Sequence, residues 1–214
     1  MRRTTGGPRT FHLWSLSEDV IIDQGAGDAL LLTSRWGQDR LERPSPAVRE
    51  VLRRMELGPV LLANALSSPE DHCRVALPTL DRLSHLVVRT LGVDDLKGPL
   101  LSVFPLSSAA PFVRIRPTGD CRVRLPRHVA LTVPDSGVGC VLESDEAPHR
   151  VVLHRQEAAW VAMTLAWPTT LTAVSAALPL PRQVTEDIVG YLAGAGLVAL
   201  VDEHGMTGDA PRPA

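Results

Sequence analysis

A run of three short strands followed by three helices occurs twice along this chain. In the second half, Val129, Leu131 and Val133 alternate with His128, Ala130 and Thr132, the period-two pattern of a half-buried strand. Residues 134–137 read "PDSG", which is turn chemistry, and 139–144 and 149–154 read as a second and a third strand. From Gln156 the period becomes helical and should stop before Pro168. Thr169 or Thr170 can cap a helix bearing Leu171, Val174 and Leu178. Pro181 suits the first turn of a third helix whose inner face is Val184, Ile188 and Leu192. Gly194 or Gly196 ends it, and 197–201 closes the unit as a strand.

The first half gives the same order. Residues 11–23 make an extended first segment, "ALLLTS" (29–34) a second strand and "QDRLER" a polar third. Residues 47–55 predict an amphipathic helix with Val48, Val51, Leu52 and Met55 inward, and 60–66 a short helix. Residues 77–92 predict a longer helix that turns Leu80, Leu83, Val87 and Leu91 to the core. The expected fold is α+β: two tandem winged helix-turn-helix units, each β-β-β-α-α-α, at 10–95 and 127–203. Residues 96–126 join them as a linker, too apolar at "LLSVFPL" to be free and therefore expected to pack across one or both units. Disordered tails are expected at 1–9 and 204–214.

Composition narrows the function more than the fold. With 44% hydrophobic and 21% charged residues over 214 positions, the chain should be soluble and globular, of one medium domain or two small ones. A net charge of −2 gives no global attraction to nucleic acid or an anionic membrane. Neither a signal peptide nor a membrane span can be read from it. Three widely separated cysteines, Cys73, Cys121 and Cys140, form no disulfide framework and no zinc motif, so a reducing, cytoplasmic setting is expected. The histidines are scattered, no Ser/His/Asp or Cys/His set has a supporting spacing, and neither catalytic nor metal residues are assigned. The four tryptophans, Trp14, Trp36, Trp160 and Trp167, are expected in the core or at domain contacts.

Laid out this way, the pattern resembles the N-terminal region of SagB-type dehydrogenases, the FMN-dependent azoline oxidases of thiazole/oxazole-modified peptide pathways. The matching stretches are "RHVALTVPDSGVGCVLESDEAPHRVVLH", "LAWPTTLTAVSAALPLP" and "YLAGAGLVAL", with looser agreement at "ALLLTS" and "GPLLSVFPLSSAAPF". The similarity covers most of residues 11–203. These 214 residues include no segment like that family's FMN-binding nitroreductase domain, so the resemblance implies no cofactor and no redox activity here. It implies a non-catalytic role in a pathway of ribosomally synthesised, post-translationally modified peptides (RiPPs): binding a precursor peptide, or docking a separate modifying enzyme such as a nitroreductase-type dehydrogenase or a cyclodehydratase. A homodimer is compatible with such a scaffold.

In the RiPP recognition elements this arrangement resembles, a leader peptide adds as a strand beside the third strand and rests on the third helix, the chemistry of β-strand addition. The expected peptide-binding residues are therefore Gln38, Arg40, Leu41 and Arg43 on the third strand, with Arg82 and Arg89 on the helix facing it. Those arginines would favour an acidic leader. Residues 150–154 with 184–191 are the corresponding surface of the second unit. The rival reading is a winged-helix DNA-binding transcriptional regulator. Its recognition helix should carry Arg, Lys, Asn or Gln over a basic footprint. Here Arg182 and Gln183 are followed by Glu186 and Asp187, expected at the start of the helix, and Arg82 has Asp81 beside it, with Glu70 and Asp71 nearby.

Overall fold

The computed structural model describes residues 8–65, 76–116, 118, 120–135, 137 and 139–201. Of the expected tails, 1–7 and 204–214 lie outside the described residues, as do Glu70, Asp71 and Cys73, while the Arg9 carbonyl accepts from Asp94 N at 3.0 Å.

The chain is α+β, with antiparallel sheets and several helices. Its first half runs β1 (Thr10–Leu16), β2 (Ile21–Gln24), β3 (Leu30–Ser34), β4 (Gly37–Leu41), α1 (Pro46–Leu57), β5 (Val60–Leu61), α2 (Leu62–Ala65), α3 (Leu77–Arg82), a 3-10 turn (Ser84–Leu86) and β6 (Val87–Val93). After β7 (Pro99–Pro105) the second half repeats that order. It runs β8 (Arg122–Arg124), β9 (Ala130–Thr132), β10 (Cys140–Glu143), β11 (His149–Leu153), α4 (Gln156–Thr164), β12 (Thr169–Thr170), α5 (Leu171–Ala177), α6 (Arg182–Gly194) and β13 (Ala199–Val201). The pairing repeats as well: β5-β1-β6 in one half corresponds to β12-β8-β13 in the other, and β2-β3-β4 to β9-β10-β11.

Strand β7 makes the halves one body. It pairs with β6 on one side and β11 on the other, giving a seven-stranded sheet of order β5-β1-β6-β7-β11-β10-β9. The apolar 96–126 segment is thus packed, as the central strand β7, as β8, and as residues 113–115 laid along α6. One core gathers Val48, Val51, Leu52 and Met55 of α1 with Leu30 and Leu32 of β3 and Leu80 and Leu83 around α3. The other gathers Val184, Ile188 and Leu192 of α6 with Val161 of α4 and Leu101 and Val103 of β7. Local chemistry sets the helix starts: Ser45 Oγ accepts from Val48 N at 3.3 Å, and Thr170 Oγ1 from Ala173 N at 3.2 Å.

Four expectations are corrected. The helix expected over 77–92 ends at Arg82, and 87–93 is strand. All seven β6 residues are buried, because β1 and β7 flank it and both its faces are covered. A strand buried on both faces loses its alternation and imitates a helical run, while Val87, Val88, Thr90 and Val93 favour extended backbone. The β9 strand is exposed along its length rather than half-buried, since it ends the large sheet. Trp167 is 74% exposed, and Trp36 and Trp160 are also at the surface; Trp14 alone is a domain contact. Asp187 is a buried residue in the second turn of α6 and does not serve its N-terminus.

Candidate functional site

The expected peptide site falls on β4, the outer strand of the β2-β3-β4 sheet. Among the described residues no strand pairs with its far side. Its register on β3 is regular, from Leu30↔Leu41 to Ser34↔Gly37 across the two-residue turn Arg35–Trp36. Such a turn closes on a hydrogen-bonded pair, and hydrogen-bonded and open pairs alternate along an antiparallel ladder. The N–H groups of Gln38 and Arg40 therefore point to the free edge, whereas that of Leu41 points to β3. Asp39 Oδ2 meets His85 Nε2 at 2.9 Å, which ties β4 to the 3-10 turn after α3.

The six residues expected to form one surface divide. Gln38 and Arg40 are exposed on the open edge, and Arg43, just past it, is exposed with φ at 44°. Arg82 is exposed at the end of α3. Arg40 is already paired with Glu42 and reaches the Ala26 carbonyl. Leu41 is 2% exposed and belongs to the core. Arg89 is not on a helix and does not face β4: it is buried in the middle of β6.

The equivalent strand of the second half, β11, has no open edge, because β7 is paired to it from His149↔Pro105 to Leu153↔Leu101. The helix that follows, α6, is also covered. Residues 113–115 run along it so closely that Ile115 N donates to Gly190 O at 3.3 Å. A Cβ on Gly190 would lie 2.5 Å from Ile115 O, and one on Gly194 2.6 Å from Val113 O. Glycine sits in mid-helix here because only hydrogen fits. The surface expected at 150–154 with 184–191 is therefore occupied by the chain's own 99–115 segment.

A second site, which the sequence reading missed, lies where the halves meet. A cleft of about 430 Å³ is lined by His12 and Trp14 of β1, Leu61 to Ala63, Asp81, Arg89, Phe112 to Arg114, and Tyr191 of α6. Arg89 lies under Trp14, its guanidinium carbon 3.0 Å from the ring centroid, and 5.9 Å from that of Phe112. Its Nε and Nη2 are buried and find no hydrogen-bond acceptor among the described residues. The nearby carboxylate of Asp81, itself largely in solvent, stands 3.6 Å from Nη2. Burial pushes the Arg89 pKa down to about 10, against the opposing pull of Asp81.

Beside it runs a chain of polar contacts. Asp187 accepts from Thr10 Oγ1, from Gln183 Nε2 at 3.1 Å and from Arg114 Nη1 at 3.2 Å. Arg114 Nη1 also donates to His12 Nε2 at 2.7 Å, and His12 Nδ1 lies 2.9 Å from Tyr191 Oη. Since a guanidinium only donates, His12 Nε2 must accept, and its proton sits on Nδ1. Tyr191 Oη then accepts from Nδ1 and keeps its own hydrogen for another partner. Burial, followed by Arg114, lowers the His12 pKa, and burial raises that of Tyr191, so both stay neutral at pH 7. The one sequence signal for this site was a charge inside "VVRTLGV": an arginine in a largely apolar run needs a reason to be there.

Among the described residues no group of three or more His, Cys, Asp and Glu could hold a metal ion, and no helix is long and apolar enough to cross a membrane. No family model matches the chain, and no curated protein matches it.

Proposed function

We propose that this protein is a non-catalytic precursor-peptide-binding or scaffold protein of a RiPP pathway of the thiazole/oxazole type, built of two winged-helix units. It works beside a separate modifying enzyme such as a SagB-type FMN dehydrogenase. The observation that carries this reading is the contrast between two equivalent strands. In the second half, β11 is filled by the chain's own β7 while 113–115 lies on α6, an internal example of a segment seated on strand and helix. In the first half, the corresponding strand β4 offers outward backbone groups at Gln38 and Arg40. Charged residues on it, Asp39 and Arg40 with Glu42 just beyond, deter self-pairing while leaving the main chain available to a peptide.

The rival, DNA binding, loses support from burial. Nine of the thirteen α6 residues are buried, and α3 has only six residues, so neither helix offers a long polar face to a major groove.

Amide hydrogen exchange with and without a synthetic acidic leader peptide of a thiazole/oxazole-type precursor tests the proposal. Slowed exchange at Gln38 and Arg40 is the expected result. Unchanged exchange along β4, with the peptide bound elsewhere or not at all, overturns it.

A further inference from the structure

We propose that the cleft between the two halves is a binding site for a small monocarboxylate with an aromatic or aliphatic body, its carboxylate held by Arg89 and the Tyr191 hydroxyl. This goes beyond the strand-edge reading, because the open edge of β4 contains neither residue.

Donor chemistry selects the charge of the ligand. Arg89 lines the cleft with unfilled N–H capacity, and the Tyr191 hydroxyl hydrogen is left over once His12 has donated to its oxygen. Asp187 anchors Arg114, and Arg114 sets the His12 tautomer, so these three are positioning residues that turn the hydroxyl into a donor. The acceptor on the cleft wall, Asp81, is 66% exposed at its side chain and 3.6 Å away, so it can give way to an incoming anion and return to water. The second guanidinium of the lining, Arg114, is already paired with Asp187 and His12, so the donors left are one guanidinium and one hydroxyl. These suit a single carboxylate, whereas a phosphate group would call for more cations.

The rest of the lining selects the body. Trp14, Phe112, Leu61 and Leu62 form the apolar wall, and about 430 Å³ falls in the range of small-molecule sites. Ala63 stands in this lining while exposed, which places it at the mouth.

The test is calorimetric titration of the 214-residue protein with 3-phenylpropionate and with the neutral 3-phenylpropanol at pH 7. The acid should bind saturably at one site, and the alcohol at least about tenfold more weakly, the loss of a charge-assisted hydrogen bond. Arg89→Met should reduce acid binding to the level of the alcohol, and Tyr191→Phe should weaken it about fivefold. Ala63→Trp, at an exposed position, should close the mouth and abolish binding with the fold intact; it decides the matter if Arg89→Met fails to fold. Absence of saturable acid binding, equal affinity for acid and alcohol, or full affinity in Ala63→Trp would each overturn the proposal.

Discussion

Trp14 and Arg89 face each other directly across the β1–β6 ladder, and the guanidinium carbon lies 3.0 Å from the centre of the indole ring. The pair explains how a charge survives in a strand buried along its whole length: the ring face supplies what hydrogen bonds do not. Trp14→Leu should therefore destabilise the fold by about 2 kcal/mol, the upper range for a desolvated cation–π contact. Arg89→Met should cost less, because it removes the desolvation penalty together with the charge. Urea midpoints at constant slope measure both. A larger loss in Arg89→Met would mean that the guanidinium holds hydrogen bonds essential to the fold.

The tight passage of 113–115 over α6 leads to a prediction at Gly190. Helix propensity alone favours Ala over Gly by about 1 kcal/mol. Here the added methyl would sit 2.5 Å from a carbonyl oxygen, so Gly190→Ala should instead destabilise by about 1–3 kcal/mol, as overpacking does. Thermal denaturation checks it, and a stabilised variant would show that the segment yields easily.

Stability should fall on acidification. Burial lowers the pKa of His12, His149 and His154, so all three fold in the neutral form. Their contribution is complete above the ordinary imidazole pKa of about 6.5 and is lost as pH falls through the lowered folded values. The urea midpoint should drop between pH 7 and pH 5. His154→Gln, which retains a partner for Ser102 Oγ, should make that drop shallower. A midpoint independent of pH would contradict it.

On β4, proline substitutions one residue apart should behave differently. Arg40→Pro removes an N–H that faces the open edge, so the fold should persist while precursor peptide binding is lost. Leu41→Pro removes an N–H directed at β3 together with a core side chain, and should destabilise the whole sheet. Calorimetry and denaturation on the two variants separate these outcomes. Wild-type peptide affinity in a folded Arg40→Pro protein would move the site away from β4.

Local pattern carried the α+β class and most of the elements. The inner face of α1 is Val48, Val51, Leu52 and Met55 as spaced, and Val184, Ile188 and Leu192 are buried on α6. The turns, caps and alternating strands that divide the chain into two like halves depend on neighbours a few residues away, so sequence alone determines them. What neighbours in space decide was not legible. Residues 87–93 became strand because β1 and β7 pair with both edges, and packing over both faces removed the alternation that would have announced it. The fate of each third strand was also tertiary: β7 closes β11, and β4 has no such partner among the described residues. The Arg89 cleft draws on residues up to 179 positions apart, His12 and Tyr191 among them, and no local period can encode their meeting.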